Sequence, residues 1–273
     1  MTAAPALEFF KLEALANDFV LVDARRTPLE LVPATRILLA DRRLGIGCDQ
    51  LLILQAAQAP TFARVRIYNA DGSMAEQCGN GMRAIAAWAD RCGLLGEGLR
   101  LDTDAGPVTI AAEADGYSAE LPGPRAASWQ DAGLAQPRLP AGMHDPVLWS
   151  LGNPHLVVTA EHAPDAAALA TLVDALDRQG PWSKRVNIGL ACARDGWVEL
   201  RVHERGSGPT PACGSGACAA AAHFIGAGRL STPLRVVQPG GELVVDWESG
   251  KARIRTLGAA RVVFQGFLER LPA

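Results

Sequence analysis

The sequence has little to offer a nucleic acid, a membrane or a metal. Its 26 Lys+Arg against 29 Asp+Glu leave a formal net charge of −3, so no positive excess is available to neutralise phosphates or an anionic bilayer. No apolar run reaches the roughly 20 residues a bilayer-spanning helix needs. The opening MTAAPALEFFKLEALANDF has no basic stretch ahead of an apolar core, which predicts no secretory signal. A cytoplasmic protein without nucleic-acid or membrane partners is expected. The five histidines are scattered, and the six cysteines at 48, 78, 92, 192, 213 and 218 include no C-x-x-C pair; neither a zinc site nor a disulfide framework is expected. The glycine-rich stretches match neither GxxxxGK(S/T) nor GxGxxG, which sets phosphate and dinucleotide loops aside. No lysine stands in a cofactor-like context, so no pyridoxal phosphate, and no other cofactor, is expected.

What is present is a pair of similar stretches. ACGSGACAAAAHFI, from Ala212 to Ile225, places a cysteine ahead of two glycines and an alanine-rich apolar run. QCGNGMRAIAAWA, from Gln77 to Ala89, has the same Cys-Gly-x-Gly layout followed by a helix-like run. The two lie about half the chain apart. With 273 residues, 49% hydrophobic and 20% charged, the chain is globular and long enough for two domains.

Each half reads as strands around one central helix. In the first, Phe9 to Ala24 predicts a strand or hairpin, Pro33 to Leu44 a helix with proline in its first turn, and Gln50 to Ala57 and Ala63 to Ala70 strands. Asp71-Gly72 is a turn signal, and Gly93 ends the helix that starts at Cys78. Pro122 to Pro146, with five prolines, predicts a linker. In the second half, Val147 to Ala160 reads as strand, turn, strand. Pro164 to Gln179 has helical spacing, and Arg185 to Gly206 reads as a hairpin turning at Asp195-Gly196. The Cys213 helix follows, apolar on nearly all sides and so predicted to be buried on all sides. The fold class expected is α+β: two pseudo-symmetric domains, each a mostly antiparallel sheet wrapped around a central helix. The domains are expected over 1–122 and 123–262, with 263–273 a candidate to return to the first and the active site in the cleft between them.

A cysteine at a helix start meets unpaired N–H groups and partial positive charge, which lower a thiol pKa and can also hold a carboxylate. Glycines at 79, 81, 214 and 216 let backbone approach a ligand. Two thiols on opposite faces of one carbon suit stereochemical inversion, one removing the α-proton and the other delivering a proton. A lone buried cysteine is usually a small hydrophobe, the reading expected for Cys48, Cys92, Cys192 and Cys218. A redox pair of the two thiols is the competing non-enzyme reading.

NDFVLVDA, CDQLLIL, YNADGS, QCGNGMR, GNPH, RVN and ERG…ACGSGACA, in this order, resemble the diaminopimelate epimerase family, over a span from about Lys11 to the C-terminus. The resemblance implies a pyridoxal-independent isomerase that interconverts LL- and meso-2,6-diaminopimelate on the route to lysine and peptidoglycan, and it implies a homodimer. By position, Cys78 and Cys213 match the family's catalytic cysteines. Gly79 with Asn80, and Gly214 with Ser215, match the segments that bind the reacting carboxylate. Asn17, Gln50, Asn69, Asn153, Asn187, Glu204 and Arg205 match substrate-binding positions. His155 and Glu204 match the groups that help set thiol protonation. A distal amino-carboxylate indeed calls for a carboxylate, an arginine fork and amides.

The chain departs from the family pattern in three places. Glu13-Ala14-Leu15-Ala16 stands where His-Gly-x-Gly is usual, Cys48 where Phe is usual, and Gly208-Pro209-Thr210 where Gly-Glu-Thr is usual. A racemase of proline, hydroxyproline or histidine on the same scaffold is the nearest alternative enzyme.

Overall fold

In a computed structural model of the chain, residues 7–130 and 132–269 are described. The fold is mixed α/β and mostly sheet, with five helices among the described residues. Two compact units divide it, Met1–Glu120 with Leu257–Ala273, and Leu121–Thr256. The first unit therefore takes the chain back from Leu257, earlier than the expected residue 263.

In the first unit β1 (Leu7–Ala14) and β2 (Asn17–Ala24) form a hairpin, and α1 (Pro33–Ala40) follows. The helix stops four residues short of the expected Leu44. Asp41 leaves the helical region and its carboxylate accepts from the Arg43 and Leu44 N–H groups, both at 2.7 Å, starting a separate turn. β3 (Gln50–Gln55) lies parallel to β2, and β4 (Ala63–Asn69) runs antiparallel to β3. The Asp71-Gly72 turn, Gly72 at φ 80°, leads into the short β5 (Met74–Ala75) on β4. Then comes α2 (Gly79–Arg91), and β6 (Leu99–Thr103), β7 (Gly106–Glu113) and β8 (Gly116–Pro122), with β6 parallel to β4. Every residue of α2 from Gly79 to Ala89 is buried, Met82, Arg83 and Trp88 among them.

In the second unit β9 (Arg125–Ala127) pairs with β10 (Met143–Ser150), and β10 with β11 (Pro154–Ala160). The stretch expected to be a linker is thus part of this unit. Its prolines punctuate a segment whose Trp129, Leu134, Leu139 and Met143 pack on the core, with Trp129 edge-on to Trp182, ring centroids 6.1 Å apart. α3 (Ala166–Asp177) is capped by the Asp165 carboxylate, which accepts from Ala168 N at 2.7 Å, and buries Leu169, Leu172, Val173 and Leu176. After the short α4 (Trp182–Arg185), β12 (Asn187–Ala193) runs parallel to β11 and turns into β13 (Trp197–Glu204). β14 (Gly208–Thr210) folds back on β13. α5 (Gly214–Gly226) follows, with Ala219 to Ala222 fully buried. β15 (Leu234–Gln238) is parallel to β13 and antiparallel to β16 (Gly241–Asp246). β17 (Arg253–Gly258) carries the chain back into the first unit, where β18 (Arg261–Leu268) pairs with β1. The core of this unit gathers Leu156, Leu172, Leu176, Trp182 and Ile188; truncating a fully buried leucine such as Leu172 to alanine costs about 2–5 kcal/mol.

The departures have local explanations. Cys48 is buried among Phe9, Val20, Leu39 and Leu51, where a thiol behaves as a small hydrophobe, and burial pushes its pKa up to about 12. Leu15 and Ala16 form the β1–β2 turn at φ 55° and 62°, a left-handed turn that usually takes Gly or Asn. Pro209 is exposed on β14, a short strand where a missing N–H is tolerated. Of the cysteines expected to be buried, Cys92 is exposed, because it caps the C-terminal end of α2.

Candidate active site

In the first unit three adjacent strands bring their site residues to one end. Asn17 opens β2, Gln50 opens the parallel β3, and Asn69 closes the antiparallel β4. Gln50 and Asn69 are register partners, and Gln50 Nε2 donates to Asn69 Oδ1 at 2.9 Å. Asn69 Nδ2 donates on to Ser73 Oγ at 3.0 Å.

Asn17 is held by a residue the sequence reading missed. Its Nδ2 donates to Asp49 Oδ2 at 2.7 Å, and Arg42 Nη2 donates to Asp49 Oδ1 at 2.8 Å. Arg42 also forks onto Asp18, at 2.9 and 2.7 Å, and Lys11 bonds Asp18 and the Gly47 carbonyl. Burial alone would raise the Asp18 pKa, but Arg42 and Lys11 outweigh it and hold the carboxyl well below the usual range.

From β5 the chain enters α2 through Cys78. This residue is the N-cap, extended at φ −147°, and its Sγ accepts from Gly81 N at 3.3 Å. Gly81 packs closely, since a Cβ there would lie 3.3 Å from Leu52 Cδ2 and 3.4 Å from the Cys78 sulfur. Asn80 is buried and its Oδ1 accepts from Arg83 Nη2 at 2.6 Å. That bond fixes the orientation of the side chain.

In the second unit Asn153 precedes β11, Asn187 opens the parallel β12, and Glu204 closes the antiparallel β13, with Arg205 next. His155 is buried and pairs with Asn187 in register. Its Nε2 donates to Asn153 Oδ1 at 2.9 Å, with Asn187 Nδ2 3.4 Å from the same nitrogen. Burial, aided by the Arg205 charge, pushes the His155 pKa down to about 3. A ring neutral at ordinary pH therefore orients Asn153, while Asn187 Nδ2 donates to the Pro154 carbonyl at 3.3 Å. Asn187 Oδ1 accepts from Arg205 N at 2.9 Å, which ties the Arg205 backbone to the start of β12.

Cys213 is the N-cap of α5, extended at φ −130°, and its Sγ accepts from Gly216 N at 3.3 Å. The thiol lies 3.5 Å from Ser215 Oγ. A Cβ on Gly216 would sit 3.0 Å from Val202 Cγ2 and 3.3 Å from the sulfur, so here too the second glycine serves the helix start's packing. The lowered thiol pKa expected from the helix dipole does not hold for Cys213. Burial first, then the Glu204 charge, raise it well above its ordinary value; the bonds from Ser215 and Gly216 pull the other way but are smaller.

Two more residues escaped the sequence reading. Thr210 Oγ1 donates to Glu204 Oε1 at 2.7 Å. Gln238 Oε1 accepts from Cys213 N at 2.8 Å, while its buried Nε2 has no partner among the described residues. Gly240 N donates to Pro211 O at 2.8 Å, so the β15–β16 turn clamps the segment that leads into Cys213. Gln238 lies far along the chain from Cys213, and no local pattern announces such a contact. Thr210 stood close to the motif but reads as an ordinary strand residue.

Comparison with known proteins adds a family. A family model described as diaminopimelate epimerase matches residues 9–124 and 147–263. The chain is 41% identical over 270 residues to a diaminopimelate epimerase of Rhizorhabdus wittichii, covering 94% of each chain. It is 39% identical over 269 residues to one from Sphingopyxis alaskensis, covering 94% of this chain and 96% of that one. Among solved structures, a hydroxyproline epimerase from Agrobacterium vitis, crystallised with trans-4-hydroxy-L-proline, aligns with TM-score 0.71. It shares 14% identity over 98% of this chain and 94% of the other, a likeness of fold.

Proposed function

The chain belongs to the diaminopimelate epimerase family, and we propose that it is the isomerase that interconverts LL- and meso-2,6-diaminopimelate through Cys78 and Cys213, without a cofactor. The observation that carries the reading is the repeated helix start. Each cysteine is an N-cap whose Sγ accepts, at 3.3 Å, the N–H of the glycine three residues on. Such a start offers further N–H groups to a carboxylate. The fold supports two pseudo-symmetric domains. In each unit a strand runs parallel to the next, the third runs antiparallel, a short strand folds on that third strand, and a buried helix leads to a further parallel strand.

In this mechanism a thiolate removes the α-proton from one face, and the opposing thiol delivers its own proton to the other. General acid–base catalysis contributes about 10²–10⁴-fold. The remainder is assigned to N–H groups aimed at the carboxylate as charge builds on it, with water excluded. Cys213, whose pKa is raised, carries the proton in the resting enzyme. For the reverse direction it must act as base. A substrate ammonium paired with Glu204 would cancel the charge that keeps the proton on the thiol. Arg205 supplies the fork that a distal carboxylate needs. A homodimer is proposed as well, supported by the exposed Val263, Phe264 and Phe267 along β18; sedimentation of wild type against Phe267→Glu tests it.

Incubation with LL-diaminopimelate in deuterated water under reducing conditions tests the main reading. Deuterium at the α-carbon and appearance of the meso isomer are expected. Absence of both overturns it, and exchange only into proline, hydroxyproline or histidine, run alongside, would transfer the protein to another racemase class.

A further inference from the structure

The β13–β14 hairpin carries a contact that neither the family motif nor the mechanism uses. Antiparallel register sets Glu204 opposite Gly208 and Val202 opposite Thr210. Two glycines in the left-handed region, Gly206 at φ 85° and Gly208 at φ 82°, let the chain reverse within this short span. Pro209 then fixes φ in the middle of the returning strand. The reversal brings the Thr210 hydroxyl to Glu204 Oε1 at 2.7 Å, and it leads in three residues to Cys213. Glu204 is in turn a hydrogen-bond and charge neighbour of the Cys213 thiol.

A glutamate side chain has three rotatable bonds and loses considerable freedom when it is held in one place. A carboxylate free to swing would give the thiol a fluctuating neighbour. A hydroxyl bond to the carboxylate is charge-assisted, and so both orients the group and favours its ionised form. The groups against the Cys213 residue are Glu204 from β13, Ser215 and Gly216 from α5, and Gln238 from β15. Of these, Glu204 is the charged one.

On the two-thiol reading above, we propose that Thr210 is a positioning residue, whose hydroxyl holds the Glu204 carboxylate against the Cys213 thiol. The Gly208-Pro209-Thr210 segment is then a strap that delivers this hydroxyl.

The sign of the effect follows. The Glu204 charge disfavours the Cys213 thiolate. Loss of the Thr210 bond lets the carboxylate move away or take up a proton, so the thiolate becomes easier to form. The test uses the intact protein without substrate: iodoacetamide alkylation of Cys213, followed by peptide mass spectrometry at fixed, mildly alkaline pH, where the rate tracks the thiolate fraction. Thr210→Val is expected to raise the rate by roughly three- to tenfold, the effect of a thiol pKa lower by about half to one unit. Glu204→Gln should raise it at least as much, Thr210→Ser should restore the wild-type rate, and Thr210→Val should add nothing in the Glu204→Gln background. An unchanged rate in Thr210→Val or in Glu204→Gln overturns the proposal. So does an equal increase from Thr210→Val in both backgrounds, which would mean a loosened hairpin. The epimerase reading fails separately, through absent α-deuterium exchange by the wild-type protein.

Discussion

The two helix starts share their geometry and differ in their surroundings. Cys78 is partly exposed, and the strand ends of its unit present amides: Asn17, Gln50 and Asn69. Cys213 is buried, and its unit replaces the third amide with Glu204 followed by Arg205. One scaffold position is thus neutral in one half and charged in the other. Glu204 is half-buried and Arg205 exposed, and on the proposed reading this charged pair is what would meet the zwitterionic far end of a diamino-dicarboxylate. Burial and the Glu204 charge together hold the proton on the Cys213 thiol.

The largest effects should come from the thiols. Cys78→Ser and Cys213→Ser are each expected to reduce α-proton exchange by at least about 10²-fold, with circular dichroism unchanged. Substantial exchange in either variant would break the pairing of the two starts and leave a one-base enzyme.

The next effect separates the halves by pH. His155 has a folded pKa of about 3 against an ordinary 6.5, so its neutral form contributes stability that is fully present above pH 6.5. That stability is lost as pH falls toward 3, by about 1.4 kcal/mol per unit within the window. Asp18 is also depressed, but its contribution is full above the ordinary carboxylate value of 3.8 and is lost only below it. Hydrogen exchange on mild acidification should therefore loosen β11 and β12 before β2 and β3. His155→Gln should flatten the early phase, and simultaneous loosening of both strand pairs would show that the two halves do not titrate apart.

Smaller, and complementary, are the supports of each start. Gln238→Leu removes the acceptor of the Cys213 N–H and should lower kcat by roughly tenfold, the size of one lost hydrogen bond to a buried donor. Asp49→Leu removes the acceptor of Asn17 Nδ2 and should instead raise KM by a similar factor, since Asn17 is read as binding substrate. Steady-state kinetics on the two variants distinguish the roles, and a KM effect from Gln238→Leu would reverse them.

These supports mark the limit of what could be read from the sequence. Helix starts at Cys78 and Cys213 announce themselves locally, through glycine spacing and apolar runs. The strand ends bearing Asn17, Gln50, Asn69, Asn153, Asn187 and Glu204 could be identified by resemblance. Within each unit, their alignment at one end depends on parallel pairing, of β2 with β3 in the first and of β11 with β12 in the second, which leaves no local mark. Asp49 and Gln238 act on residues 32 and 25 positions away. The raised Cys213 pKa likewise comes from tertiary burial, against which the bonds from Ser215 and Gly216 are the smaller influence. The misread linker has the same cause: prolines are visible in a sequence, but the packing of Trp129 on Trp182 is not.

The smallest predicted effect concerns the turns ahead of Asn17 and Asn153. Before Asn153 the turn uses Gly152 at φ 93°, whereas before Asn17 it uses Leu15 and Ala16 at φ 55° and 62°. A side chain in the left-handed region costs about 1–2 kcal/mol. Leu15 recovers part of this through burial, and the Ala16 N–H finds Glu13 Oε1 at 2.7 Å. Ala16 is exposed and has no such burial in its favour. Ala16→Gly should relieve the strain at the expense of a more flexible unfolded chain, for a net gain of about 0.5–1 kcal/mol. For a chain of this size that raises Tm by about 2 °C, with the Glu13 bond and the position of Asn17 retained. A fall in Tm would mean that the Leu15-Ala16 turn is held by its surroundings, and that the two halves reach the same asparagine position by different balances of strain and packing.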